Sequence, residues 1–314
     1  MSKYILFLFL SLSLFAKEVH PTAVFKSMGF VNNFVVNEDK LYVATTIGVV
    51  NVFDMNTQKI INQIVLPPLI SKMNKIIPQN AISIDYLNGK ILIVSIGKNA
   101  YRNVWVYENN ELKQIIDESK KMTIKKALFV NDERVLFGTF GSEVILHDIG
   151  ESYNVYKTHI AQSTIGGIIL NRDKTKIIIS HESGEVKVVD AKSSDVDTTY
   201  SSEHVDYIYD VASTKDIIIT GGQDRRVGVY QKNAPPYHLK SHFMVYCVAL
   251  SPSGKIGAFS SGDEQNIQLF DIKTKAKTDI LVAHTSRLNQ IYFLNENELL
   301  TAGNKNNIFY WKLD

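Results

Sequence analysis

One cysteine, Cys247, is all that 314 residues provide. No internal disulfide can form, and c-type haem attachment, iron–sulfur clusters and cysteine-based zinc sites are excluded. Cys247 stands in an alternating stretch, residues 244–250, where a thiol reads as a small buried hydrophobe. A surplus charge is missing too: 34 basic against 32 acidic residues leave a formal charge of +2. Nucleic-acid binders show a strong basic face, so that partner class is set aside. Sustained helical periodicity is absent, and so is any apolar run of the roughly 20 residues that span a bilayer.

The longest apolar run, residues 5–14, is broken by Ser11 and Ser13 and follows Lys3. With Ala16 offering a small residue for cleavage, residues 1–16 read as a secretory signal peptide. The expectation is a single periplasmic domain over residues 17–314, with no stable membrane insertion after cleavage. Its stability must then come from packing rather than cross-links.

What the chain does contain is a repeat. Seven segments, at 50–54, 104–108, 144–148, 186–190, 227–231, 267–271 and 308–312, run apolar, any, apolar, bulky, polar, the last usually Asp. Their fourth residues step from 53 to 107, 147, 189, 230, 270 and 311. A period in the low forties with four strand-like stretches marks a β-propeller blade. In the fifth repeat the strands fall at 207–212, 216–220, 226–230 and 237–240, with a turn at 234–236. Asn88-Gly89 and the stretch 251–254 supply tight turns elsewhere. The last repeat ends after its third strand, and residues 22–26 form a spare strand. The fold class is therefore all-β: a seven-bladed propeller whose N-terminal strand completes the last blade and hides two open edges.

Motif residues within the repeats carry a resemblance to the WD40 repeat family, whose blades pair a His, a Ser or Thr, a turn Asp and a closing Trp-Asp. The fifth repeat has His204, Thr220, Asp224 and Tyr230; the sixth His242, Ser260, Glu264 and Phe270; the seventh His284, Thr301 and Trp311, with Asn304 near the turn. The fourth keeps His159 with Ser183 at the turn, and the first three lack the His. Each His would satisfy buried polar groups inside its own blade, whereas a metal needs its ligands about 2 Å from one point. No metal and no cofactor are expected. His147, His181 and His238 read as isolated surface or seam residues.

Catalysis finds no support in the motifs. Gly-x-Ser-x-Gly is absent, and carboxylates such as Asp206, Asp210 and Asp224 recur with the repeat like turn residues. The chain is read as a non-enzyme; the alternative is a lactonase-like or quinoprotein-like propeller, enzyme or sensor, with a small molecule in its central channel. The uneven first step is the functional lead. Residues 66–78 and the lengthened turn 97–103 emerge on one face, gathering Leu69, Ile70, Lys72, Met73, Lys75, Lys98, Tyr101 and Arg102. A cationic surface with apolar and aromatic side chains is expected to dock a protein.

The leader and the following Lys17-Glu18, the degenerate early repeats and the ending Ile308-Phe309-Tyr310-Trp311 also resemble the periplasmic WD-repeat accessory proteins (NapL type) of periplasmic nitrate reductase systems. That resemblance implies a cofactor-free scaffold whose partners are nitrate reductase subunits or their electron donors.

Overall fold

The computed structural model describes residues 17–71 and 73–313, so the leader reading of residues 1–16 lies outside the described residues. Seven sheets, each with four antiparallel strands and one of them with a fifth, follow one another around a ring. The innermost strands are Val31–Asn37, Ala81–Leu87, Ile124–Phe129, Ile165–Leu170, Ile208–Thr214, Val248–Leu250 and Leu288–Phe293. Second strands such as Lys40–Thr45 and Lys176–His181 are buried along nearly their whole length, which is why their centres read as apolar without alternation. Outer strands such as Val196–Tyr200 face water. Apolar side chains collect into seven clusters, one in each seam between neighbouring blades, including the seam where blade seven meets blade one. Burial at these seams replaces the cross-links that a lone cysteine cannot supply.

Polar side chains on the innermost strands fasten one blade to the next. Asn33 accepts from the Ile84 amide at 2.9 Å and Asp85 from Phe129 at 2.7 Å. Asp210 accepts from Val248 at 3.0 Å, and Gln290 from Phe34 at 2.9 Å. The recurring Asp at the end of third strands has its own task. Asp54, Asp190 and Asp271 accept from the amides of Thr57, Ser193 and Thr274 at 2.7, 3.0 and 2.6 Å. Each thereby fixes the turn into the outer strand.

The ring closes as the sequence predicts: Ala23–Lys26 pairs antiparallel with Asn307–Lys312, Ala23 opposite Tyr310. One further strand was not foreseen. Glu18–Val19 adds in parallel to Lys277–Leu281, so blade six has five strands. Two other expectations need correction. Ala234–Lys240 is a strand from its first residue, not a turn followed by one; it is the edge strand of its blade, where Pro235 and Pro236 are tolerated. In blade two the repeat's bulky position is Trp105 rather than Tyr107. The ladder to the outer strand is irregular just before Phe53, His147 and Val189, and in blade two just before Trp105. The ladder between second and third strands of blade two runs on to Ile96 opposite Arg102, two pairs beyond the Ala44–Val50 end of its counterpart in blade one, which shifts the motif. The steps into and out of blade two are then 52 and 42.

Candidate functional site: the upper face

The face bearing the turns between second and third strands, and the connections between blades, is called upper here. Connecting residues 66–80, between blades one and two, build a small hairpin: Leu69 pairs with Ile77 and Ile70 with Ile76. Ser71 closes it, its hydroxyl accepting from the Lys75 amide at 3.0 Å, and Asn74 takes a left-handed φ of 53°. The hairpin is rooted by buried Leu66 and by Gln79, whose amide donates to the Pro67 carbonyl at 2.7 Å. Its tip is apolar and wet: Ile70 is 61%, Met73 76% and Ile76 77% exposed. Lys75 is exposed beside them, and Lys72 lies outside the described residues.

The second lengthened loop stands opposite. Residues 98–100 form a single 3-10 turn, with Asn99 and Ala100 at positive φ. Between hairpin and loop lies a groove of about 290 Å³, lined by Pro67, Pro68, Leu69, Lys98, Trp105 and Glu118 among others. Lys98 and Tyr101 also border an adjoining hollow with Asp117 and Glu118. Arg102 does not join this surface. It is buried, donates to the Ala100 carbonyl, and lies 5.7 Å from the Phe140 ring of blade three. Burial lowers its pKa. Its place at the start of a third strand turns it inward as a strut between blades.

Beneath the groove is a polar set that the motif reading missed. Trp105 Nε1 donates to Ser95 Oγ at 2.9 Å, and Ser95 donates to Gln79 Oε1 at 2.7 Å. Gln79 precedes Ser95 by 16 residues and Trp105 by 26, the spacings of His204 to Thr220 and Tyr230. Accepting Gln in place of His would have revealed it.

The family-type residues divide. In blade five, His204 Nε2 is 2.7 Å from Thr220 Oγ1, and Nδ1 donates to Asp224 at 3.0 Å. Burial pushes the Asp224 carboxyl up, but the bond and charge of His204 together with the Val205 and Arg226 amides outweigh it and hold it low. Tyr230 is buried beside them. In blade seven, Thr301 Oγ1 is 2.7 Å from His284 Nε2 and accepts from Trp311 Nε1 at 2.8 Å. No acid completes this set; burial brings His284 down to about 4.

Blade six departs from the expected pattern. Phe259 stands opposite Gln268 as Thr220 stands opposite Gly228, and its ring packs edge-on against Phe270 at 5.8 Å. Phenyl rings fill the space a His–Thr pair would need, so His242 and Glu264 are left exposed. Ser260, one residue along, accepts instead from the amides of Tyr246 and Cys247 at 2.7 and 3.3 Å. His159 is likewise exposed and bonded to the Ala161 carbonyl. The buried histidine of blade four is His181, wholly enclosed and brought down to about 4 by that burial. His147 is also core rather than surface, stacked 5.6 Å from Phe137 and bonded to Asn154 at 2.8 Å. His238 pairs with Glu203 at 2.8 Å on an outer strand.

Around the upper mouth of the channel, residues not singled out from the sequence form an aromatic shelf. Tyr207 and Tyr209 are 5.0 Å apart, Tyr209 and Tyr246 5.2 Å, and Phe243 lies 6.3 Å beyond. The Arg287 guanidinium is 5.4 Å from the Tyr246 ring. The recurrence of Tyr at 207 and 209, at the entry to one innermost strand, was the available signal. Lower in the channel a cavity of about 520 Å³ is bordered by Asp85, Lys126, Arg172, Lys174 and Asp210. Burial raises both carboxyls, yet each already serves as the inter-blade clamp described above.

A profile of the WD domain, G-beta repeat, matches residues 233–271, spanning the outer strand of blade five and the first three strands of blade six. The serine-threonine kinase receptor-associated proteins of Homo sapiens, Mus musculus and Bos taurus are each 26% identical over 156 residues. That stretch is 49% of this chain and 43% of theirs, so the chain spans less than half the length of these relatives in the match. The β-propeller domain of Cps50 (Swd1) from Myceliophteria thermophila superposes with a TM-score of 0.76 at 13% identity. It covers 94% of this chain and 99% of that domain, a likeness of fold alone. Sheet order, seam packing and profile together make this chain a seven-bladed β-propeller that carries a WD repeat of the G-beta type.

Proposed function

We propose that this chain is an exported propeller scaffold that holds a partner protein on its upper face rather than transforming a substrate. One observation carries the reading. Of the sixteen most exposed large apolar side chains among the described residues, nine lie in upper-face connections and turns, and none lies in a lower-face turn. They are Met28, Phe30, Ile47, Ile70, Met73, Ile76, Ile77, Phe140 and Val205. Lower turns are instead polar, and those of blades one, three, four and six are capped by Asp54, Asp148, Asp190 and Asp271. Exposed apolar groups gathered on one face mark an interaction surface.

The finer reading is a periplasmic accessory role, assisting assembly or electron supply of nitrate reductase. It rests on the leader-like residues 1–16 and the accessory-protein resemblance. The test is affinity capture from a periplasmic extract with the intact propeller and with Ile70, Met73, Ile76 and Ile77 all changed to Ser. The intact protein is expected to retain reductase subunits or their electron donors, and the variant to lose at least about nine-tenths of them. Equal capture by both proteins would remove the hairpin from the interface. A cytoplasmic location on fractionation would remove the export reading.

A further inference from the structure

The groove under the hairpin has an internal polarity that specifies its occupant. Gln79 has its amide nitrogen on the Pro67 carbonyl, a group that can only accept. Its oxygen therefore faces inward, where it accepts from Ser95 and, at 2.9 Å, from Asn103 Nδ2. Asn103 is thus turned by its neighbour, and its Oδ1 points away from the set. Asn103 is 1% exposed, and that oxygen has no hydrogen-bond partner. A buried acceptor left unmade disfavours the free state, so a donor arriving from outside is rewarded.

The second element is a gap. A Cβ on Gly97 would lie 2.9 Å from Asn103 Nδ2 and 3.2 Å from Glu118 Cβ. The space between Asn103 and Glu118 is open because residue 97 has no side chain. Gly97 has a φ of −92°, so its backbone does not require glycine. Glu118 borders the groove and forms no ion pair among the described residues. The Trp105 N–H is committed to Ser95, and Pro67, Pro68 and Leu69 make the other wall apolar. Lys98 is exposed on the rim, its ammonium free to turn to water.

We propose that this groove is the subsite for one arginine side chain of an extended partner segment. The aliphatic stem lies along Pro67, Pro68 and Leu69, and the planar guanidinium spans Asn103 Oδ1 and the Glu118 carboxylate. Arginine fits because it offers several donors in one plane, no acceptor, and a permanent charge to match Glu118. The inference rests on the protein-docking reading above and names the chemistry by which that face selects its partner.

The full-length mature propeller labelled with 5-fluorotryptophan provides the test, since Trp105 lines the groove and Trp311 is sealed in blade seven. An acetylated, amidated Gly-Gly-Arg-Gly-Gly peptide is expected to shift the Trp105 fluorine signal saturably and leave Trp311 still. Glu118→Gln and, separately, Gly97→Ala should each weaken that binding about tenfold, with the Trp311 signal reporting an intact fold. No Trp105 shift up to about 10 mM peptide, or equal shifts from the peptides with Glu or norleucine in place of Arg, would overturn the subsite. If hairpin-dependent capture survives that negative result, the docking reading stands and only the arginine assignment fails.

Discussion

Blades six and seven fill the same internal position in opposite ways. In blade seven a threonine hydroxyl sits between an imidazole and an indole, three polar groups sharing one buried point. In blade six two phenyl rings meet edge-on at 5.8 Å with no polar atom between them. The motif letters promised the polar arrangement in both, since His242, Ser260 and Glu264 all occur at nearly the right places. What the position demands is a filled volume between second and third strands with every buried polar atom partnered; either chemistry meets that demand. Blade two offers a third solution, with Gln79 in the role of the histidine.

The sharpest way to break the contrast is to empty the apolar version. Phe259→Ala removes a wholly buried ring, and is expected to cost about 3–5 kcal/mol in urea unfolding. A loss below about 1 kcal/mol would mean the ring is not the filler described here.

Acid should separate the two blades next. His284 is buried without an acid, at about 4 when folded against about 6.5 in an unfolded chain. Falling pH therefore protonates the unfolded state first. The stability His284 lends as a neutral group is complete above about pH 6.5 and is lost between about 6.5 and 4, about 2 kcal/mol of it by pH 5. His181 contributes in the same window and direction. Urea midpoints at about pH 7 and pH 5, for the wild type and for His284→Asn, test this: the variant should show a smaller acid loss. An unchanged pH response would reassign the sensitivity to other groups.

The smallest effect belongs to blade six again. His242→Ala should change stability by less than about 0.5 kcal/mol, because an exposed side chain is being removed. A larger loss would revive the motif reading that the two phenyl rings displace.

How much of this was legible in the sequence varies with range. The period, the blade number and the closing strand at Ala23–Lys26 were readable because alternation and spacing are local signals repeated seven times. The displaced motif in blade two was not, since two extra pairs at the upper end of the ladder between second and third strands move the motif from Tyr107 to Trp105 without disturbing alternation. The Glu18–Val19 strand left no pattern, being two residues long and paired with a strand more than 250 residues away. At the upper face, the two lengthened loops stood out as departures from the period, and the fold lines both along one groove. Arg102 was misplaced because a cation in a loop sequence reads as exposed, while a strand start can turn it inward. The unpartnered oxygen of Asn103 lay beyond any sequence reading, since it depends on which way Gln79 faces.

The strand pairings at residues 18–26 also set an order of events. They join Ala23 to Tyr310 and Glu18 to Ile280, contacts that span nearly the whole chain. Loop-closure entropy must be met before such contacts reward it, so they form late. This segment is thus among the last to dock, and until it does Lys277–Leu281 of blade six and Asn307–Lys312 of blade seven are bare edges. That interval is when the chain is most open to misassociation, and the nine residues from Glu18 to Lys26 bring it to an end.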